Sequence, residues 1–245
     1  VSPVGSPAVT PPAIVRLGQV PSTQTVAFDL AERGAADRTV VLADHQTAGR
    51  GRQGRRWEDE PGASLLASVL LYPRLEPSRL PTLSYAVAIA VADALARVAS
   101  LAPRLKWPND VLVGGLKIAG ILLESRLAPA PTVVVGIGVN LAQRRFGPAL
   151  AGRATSVVLS AGHAVERETL LAAILGHLDV WRSRLETEGF EPVRTRWLAL
   201  SDTIGHRVSV DGQEGLALDL DPDGALVLAT AAGRCRVVAG EVREP

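Results

Sequence analysis

The sequence predicts an α/β chain: a mixed β-sheet packed with helices, followed by a small all-β module. Three observations point that way. Residues 64–71 are continuously apolar and of strand length, the pattern of a strand covered on both faces, and residues 132–140 read as a further strand. Leu83, Val87, Ala90, Val91, Ala94, Leu95 and Val98 recur at helical spacing and describe a long core helix. From Ser201 the pattern changes to short apolar runs separated by Asp211-Gly212, Asp221-Pro222-Asp223-Gly224 and Ala231-Ala232-Gly233, the turn signals of a barrel-like β module. The chain therefore divides into a lead-in over residues 1–19, a main domain over residues 20–200 and a C-terminal all-β domain over residues 201–245.

In chain order, the first residues hold several prolines and small side chains and are expected to be disordered. Ser22 or Thr23 can cap a first helix whose apolar face holds Val26 and Leu30. A cap is the plainer reading; the same hydroxyls can also face a ligand. A strand from Thr39 ends at Asp44-His45-Gln46. Leu105 to Val113 is a strand broken by a Pro108-Asn109-Asp110 turn, and Gly114-Gly115 turns it into a hairpin with Leu116 to Glu124. Residues 166–200 read as two helices packed on the sheet, with Trp181 and Trp197 as core anchors.

Composition excludes several classes. A hydrophobic fraction of 47% supplies a core, and a formal net charge of +1 argues against nucleic-acid binding through bulk charge. Cys235 is the only cysteine, so no intrachain disulfide forms and a cytoplasmic location is expected. The four histidines are scattered without metal-ligand spacing, and no protein metal site is expected. No apolar run reads as membrane-spanning, because Asp93 and Arg97 interrupt the best candidate. The chain contains no methionine, which leaves open whether Val1 is the true start.

Residues with chemistry cluster at two places. The first is Gly49-Arg50-Gly51-Arg52-Gln53-Gly54-Arg55-Arg56-Trp57, three glycines among four arginines closed by a tryptophan. Glycines let backbone N–H groups approach a ligand, and guanidinium groups suit carboxylate and phosphate. A solvated basic loop accounts for an Arg/Gly run equally well. Gly49, Gly51 and Gly54 also fit a dinucleotide fingerprint by letter, but no helix opens after them, so that reading fails. The second place is the hairpin with the strand after it. Lys117 begins an otherwise apolar strand, and Gly136 and Gly138 alternate in the next, where glycine is costly unless something approaches the backbone. Together they suggest a ligand slot across the sheet.

There is no P-loop, no nucleophile elbow, no His-Glu-x-x-His and no paired Cys-x-x-Cys. What remains is a non-P-loop anion site with mobile guanidiniums, Lys106 and Lys117 on strands, and the Asn109-Asp110 pair, suited to Mg²⁺ or to orienting a nucleophile. That set suits joining a carboxylate to a nucleoside triphosphate, where fixed cations offset the repulsion between the two anions.

The loop at residues 49–57, Lys106-Trp107-Pro108-Asn109-Asp110, the run Gly115 to Leu122, and Gly136-Ile137-Gly138-Val139-Asn140 resemble the biotin protein ligases, also called biotin–[acetyl-CoA-carboxylase] ligases. The match spans roughly residues 22–245. The resemblance implies a class II synthetase-like (biotin/lipoate ligase-like) catalytic domain that binds biotin and ATP, with an SH3-like β-barrel after it. It implies that biotin and ATP, with Mg²⁺ carried by the nucleotide, give biotinyl-5′-adenylate and pyrophosphate. A lysine of a biotin carboxyl carrier domain then attacks the mixed anhydride.

By position, Ser22, Thr23, Gln46, Gly49, Arg50, Arg52, Lys117, Leu122, Gly136 and Gly138 would bind biotin. Arg52, Arg55, Trp57, Lys106, Asn109, Asp110, Lys117 and Asn140 would face ATP, and Lys117, Arg52 and Asp110 would be catalytic. The glycines would clear room for a flat bicyclic ring. Gln24 departs from the family's frequent asparagine after Ser-Thr but keeps an amide. Some members carry an N-terminal winged helix-turn-helix and act as repressors; the few residues before Ser22 resemble the members that are enzymes only, without nucleic acid or membrane as partner. A homodimer stays open. The nearest rival is a lipoate or octanoate ligase or transferase of related fold; the rival of another class is a biotin-sensing regulatory protein.

Overall fold

The computed structural model describes residues 12–128 and 131–243, and the expectation for residues 1–11 lies outside them. The main sheet has seven strands: β1 (Ile14–Val20), β2 (Val40–Gln46), β3 (Ser64–Leu71), β4 (Arg104–Lys106), β5 (Asp110–Val113), β6 (Leu116–Arg126) and β7 (Thr132–Asn140). Their order is β1-β2-β3-β7-β6-β5-β4. Only β1 and β2 run parallel; the other neighbours are antiparallel, so the sheet is mixed as expected. The Pro108-Asn109-Asp110 break and the Gly114-Gly115 hairpin fall where the sequence puts them, and both glycines take positive φ.

Helices cover both faces. α1 (Thr23–Glu32) lies against β2, β3 and β7 on one side; α2 (Leu83–Ala99) covers β4 to β6 on the other. The alternation of β3 shows why. Leu65, Ala67, Val69 and Leu71 join α2 in the main core, while Leu70 packs with Ala27, Phe28, Val41 and Val134 beneath α1. A short helix α3 (Val157–Ala161) precedes α4 (Arg167–Glu188) and α5 (Glu191–Leu200), with Trp181 and Trp197 buried as anchors. The C-terminal sheet, order β11-β10-β9-β8-β12, comprises β8 (Arg207–Val210), β9 (Gln213–Leu220), β10 (Leu226–Thr230), β11 (Gly233–Val237) and β12 (Val242–Arg243). Val208, Leu220 and Leu228 belong to the same apolar cluster as α2, so residue 201 separates two sheets that share one core.

Four expectations change. Residues 14–20 do not belong to a disordered lead-in, because Ile14–Val20 is an edge strand pairing with β2 from Ile14↔Val40 to Val20↔Gln46; the prolines before it masked a strand of Ile, Val and Leu. Ser22 is the N-cap residue of α1 by backbone geometry, yet its side chain makes no capping bond. α4 packs chiefly along α2 rather than directly on the sheet. The helical run Pro77–Ala99 is, at 23 residues and mean hydropathy 1.5, long and apolar enough to cross a membrane despite Asp93 and Arg97, but 72% of its most apolar window is buried inside the fold. Asp93 instead accepts hydrogen bonds from Trp181 Nε1 (2.9 Å) and Arg196 (2.7 Å).

Candidate active site

Strand register builds the floor of the site. Leu66 pairs with Gly138 and Ser68 with Gly136 across β3 and β7; Gly120 pairs with Gly138 and Leu122 with Gly136 across β6 and β7. Three glycines thus lie together on the α1 face and leave a bare patch between longer side chains. A cavity of about 150 Å³ opens over it. Ser22, Gln24 and Gln46 line it from the α1 side; Arg50, Arg52, Arg55, Arg56 and Trp57 line it from the loop; Asn109, Asp110, Lys117 and Leu122 line it from the hairpin.

The loop is folded onto this floor. Arg50 bridges antiparallel to Arg56, Gly51 N–H donates to Arg55 O (2.7 Å), and residues 52–54 form one 3-10 turn. No helix follows, which disposes of the dinucleotide reading. Three of the four arginines have partners. Arg50 Nη2 lies 2.8 Å from Glu124, Arg55 Nη1 lies 2.7 Å from Glu241, and Arg56 donates to Thr47 O. Arg52 alone of the four has neither an ion pair nor a side-chain hydrogen bond among the described residues. Burial holds its pKa below the ordinary arginine value, with Arg55 adding to this and Asp110 opposing it. The guanidinium stays charged, so a half-buried, unpaired cation faces the cavity.

Trp57 and Gln24 lean against part of the glycine floor beside the cavity. A Cβ on Gly138 would come within 2.7 Å of the Trp57 indole and one on Gly120 within 3.1 Å; one on Gly136 would come within 3.1 Å of the Gln24 amide. Trp57 Nε1 is buried with no hydrogen-bond partner among the described residues, a donor left for something else.

Two glutamines have fixed orientations. Gln24 Nε2 donates to Leu122 O (3.0 Å), so its oxygen is the free edge. Gln46 Oε1 accepts from Thr23 N–H (2.8 Å) and from the Thr23 hydroxyl (3.0 Å), which itself accepts from Ser68 (2.8 Å). Gln46 therefore offers only its NH₂ edge, beside Gly49, whose missing side chain makes room for it.

On the hairpin side Lys117 Nζ lies 2.6 Å from Asp110 Oδ1 and 5.9 Å from the Trp57 ring centre. The Asp110 oxygen lacks an aligned hydrogen bond, so the pair is held by charge and keeps directional capacity. Asn109 Nδ2 donates to Ile121 O (2.8 Å). Beyond this pair lies a second cavity of about 1030 Å³, lined by Arg55, Arg56, Lys106, Asp110, Lys117 and Arg153 among others, and by the C-terminal residues Glu241 to Arg243.

The structure brings together Ser22, Gln46, Arg50, Arg52, Arg55, Trp57, Asn109, Asp110, Lys117, Leu122, Gly136 and Gly138 around the first cavity. Lys106 lines only the second. Thr23 and Gly49 support Gln46 from behind and line neither. Asn140 lines neither cavity: although period two puts it on the same face as Gly136 and Gly138, it sits at the buried end of β7 and its amide is taken up by a hydrogen bond to Thr155 O (2.9 Å). Gly120 and Leu150 line the site without having been singled out, and Gln24 and Arg56 line it without having been assigned a substrate. Gly120 was within reach of hairpin register; Leu150 carries no signal in sequence. No group of three or more His, Cys, Asp or Glu able to hold a metal ion occurs among the described residues.

The model of the biotin/lipoate A/B protein ligase family matches residues 17–140, which hold the floor, the loop and the Lys117–Asp110 pair. The chain belongs to this family. The biotin–[acetyl-CoA-carboxylase] ligase of Paracoccus denitrificans is 39% identical over 92% of this chain and 98% of its own. The biotin protein ligase of Aquifex aeolicus, solved with biotin and ATP, superposes with a TM-score of 0.84 at 28% identity, covering 95% of this chain and 99% of that one. The Leishmania major biotin protein ligase bound to biotinyl-5-AMP gives a TM-score of 0.69 at 27% identity, covering 94% of this chain and all of its own. Within the biotin/lipoate ligases the fold, including the second antiparallel sheet at the C-terminus, is thus accounted for.

Proposed function

We propose that the chain is an ATP-dependent biotin ligase that makes biotinyl-5′-adenylate and passes the biotinyl group to a lysine on the carrier domain of acetyl-CoA carboxylase. The observation that carries this reading is the glycine-floored slot meeting the unpaired Arg52 and the Lys117–Asp110 pair, at the mouth of a larger cationic cavity. In the first step a biotin carboxylate oxygen attacks the α-phosphorus of ATP; an O–P bond forms and the bond to pyrophosphate breaks. In the second the lysine ε-amine attacks the acyl carbon, the C–O bond to AMP breaks, and the amine loses its proton.

The residues take roles that follow from their places. Gln46 offers a donor and Gln24 an acceptor to the polar head of biotin, with Ser22, Arg50, Leu122, Gly136 and Gly138 around it. Thr23 and Gly49 hold Gln46. Lys117 and Arg52 offset charge on the carboxylate and α-phosphate, where fixed cations in a water-poor site are worth most. Asp110 accepts the amine proton or orients the amine, which must be neutral to attack. Arg55, Trp57, Lys106 and Asn109 face the nucleotide, whose Mg²⁺ arrives with it. Asn140 is given no substrate contact.

A cytoplasmic location and the lack of nucleic-acid or membrane partners belong to the same proposal, supported by the single cysteine and the near-neutral charge. So does a homodimer, for which sedimentation with and without biotin is the check.

The test is exchange of labelled pyrophosphate into ATP with biotin, lipoate and octanoate in parallel. Biotin alone is expected to drive it. Equal or greater exchange with lipoate would reassign the substrate.

A further inference from the structure

We infer that Thr203, outside both cavities on the segment entering the C-terminal sheet, is a positioning residue for the turn carrying Asn109 and Asp110. The inference rests on the adenylation reading above. Asn109 and Asp110 follow Trp107, and Trp107 has two N–H donors, both buried. Neither is met from the catalytic sheet. The backbone N–H donates to Thr203 Oγ1 at 2.9 Å. The indole Nε1 donates to Tyr85 Oη at 3.0 Å and lies 3.3 Å from Gly224 O.

The proton arrangement is determined. Tyr85 donates its own hydrogen to Gly224 O, so its lone pair is free to accept from Trp107. Burial pushes the Tyr85 phenol up, which keeps that hydrogen in place. Thr203 is held in turn by Ser201, whose Oγ accepts from Thr203 N–H (3.0 Å) and Ile204 N–H (3.1 Å). Asp202 N–H donates to Leu105 O at 2.8 Å, so the same segment also ends β4. Thr203 is 1% exposed and touches neither cavity.

The turn is therefore strung between two anchors. Trp107 is fixed to the C-terminal side by Thr203 and Gly224, with Tyr85 of α2 bridging the indole to Gly224 O. Asn109 is fixed to β6, with Ile121 N–H donating back to Asn109 O at 2.9 Å. Asp110 sits at the second anchor, 2.6 Å from Lys117. Loss of the first anchor leaves a buried N–H unmet and lets the Asn109–Asp110 backbone shift against Lys117. Among the described residues, no hydrogen bond joins this segment to β3, β7 or α1, which build the biotin side of the slot.

The experiment compares Thr203→Val, which keeps shape and removes the acceptor, with Thr203→Ser, which keeps the hydroxyl. Steady-state exchange is measured with ATP varied, biotin affinity by calorimetry, and Tm alongside. Thr203→Val is expected to raise KM for ATP at least about fivefold with biotin Kd within about twofold, and Thr203→Ser to restore the wild-type value. Tyr85→Phe, which loosens the indole anchor, is expected to shift the same parameter and replaces Thr203→Val should that variant not fold. A lowered Tm with unchanged KM and kcat, or the same loss in Thr203→Ser as in Thr203→Val, would overturn the inference. A wild-type enzyme inactive with biotin and ATP would instead overturn the adenylation reading beneath it.

Discussion

Lys117 is the residue on which charge and geometry converge. It enters the sheet at the start of β6, pairs with Asp110 and faces both cavities. Lys117→Ala is expected to slow adenylate formation by about 10²-fold or more, the scale of losing one preorganised group on developing charge. Its partly exposed side chain contributes little to folding, so unfolding stability should change by about 1 kcal/mol or less. Near-normal exchange would reduce it to a surface lysine. Gly138 gives a second residue-scale test. Its backbone is ordinary, so any penalty comes from the 2.7 Å approach to Trp57. Gly138→Ala should force the indole to move, costing about 1–3 kcal/mol of packing, and should weaken biotin binding measured by calorimetry. Gly18→Ala, where nothing lies within 4 Å, is the control expected to bind as wild type. The sequence showed Gly136 and Gly138 as a pair calling for close approach. It did not show what approaches, because Gln24 and Trp57 reach the glycines only after α1 and the loop fold over the sheet.

At the scale of elements, the Arg/Gly loop is expected to act as a lid. It is closed by its own backbone bonds and by Arg50–Glu124 and Arg55–Glu241, while Arg52 waits unpaired. Exposed ion pairs of this kind contribute about 0–1 kcal/mol each, so the loop should open readily in the free protein and close around an anion. Protease cutting between residues 49 and 57 should fall when biotin binds; equal cutting in both states would mean the loop is no lid. Arg52→Gly should still form adenylate but release it, read as free biotinyl-adenylate in solution.

The β9–β10 turn offers a pH test. Burial opposes ionisation of Asp221, but Arg236 and the N–H groups of Asp223 and Ala225 outweigh it and hold its pKa below the usual carboxylate value. A depressed folded-state pKa stabilises above the unfolded value of about 3.9 and ceases to do so as pH falls through the folded one. Asp221→Asn should therefore cost about 1–3 kcal/mol near neutrality, a gap that narrows below about pH 4. A gap independent of pH would show the carboxylate charge to be irrelevant there. Sequence made the Asp221-Pro222-Asp223-Gly224 turn plain from its letters. It gave no sign that Gly224 O ties the turn to Tyr85 and Trp107, residues more than a hundred positions away.

For the whole molecule, one sheet register sets the slot, and one shared core holds the C-terminal sheet against the turn that carries Asp110. Most strands and helices were legible because period-two and helical spacing survive in burial of this kind. β1 was not, because its apolar residues follow directly on a proline-rich start. Asn140 lines neither cavity because its amide bonds the Thr155 carbonyl, a partner from a loop that no motif letter reveals. On the proposed function, this architecture activates biotin and delivers it to one lysine. The most direct measurement incubates the chain with biotin, MgATP and the carrier domain of acetyl-CoA carboxylase, and follows intact mass. A single biotinyl group should appear on the carrier, with AMP and pyrophosphate released, and none on the carrier whose acceptor lysine is replaced by arginine. No mass gain with biotin, or an equal gain when lipoate replaces it, would contradict the claim.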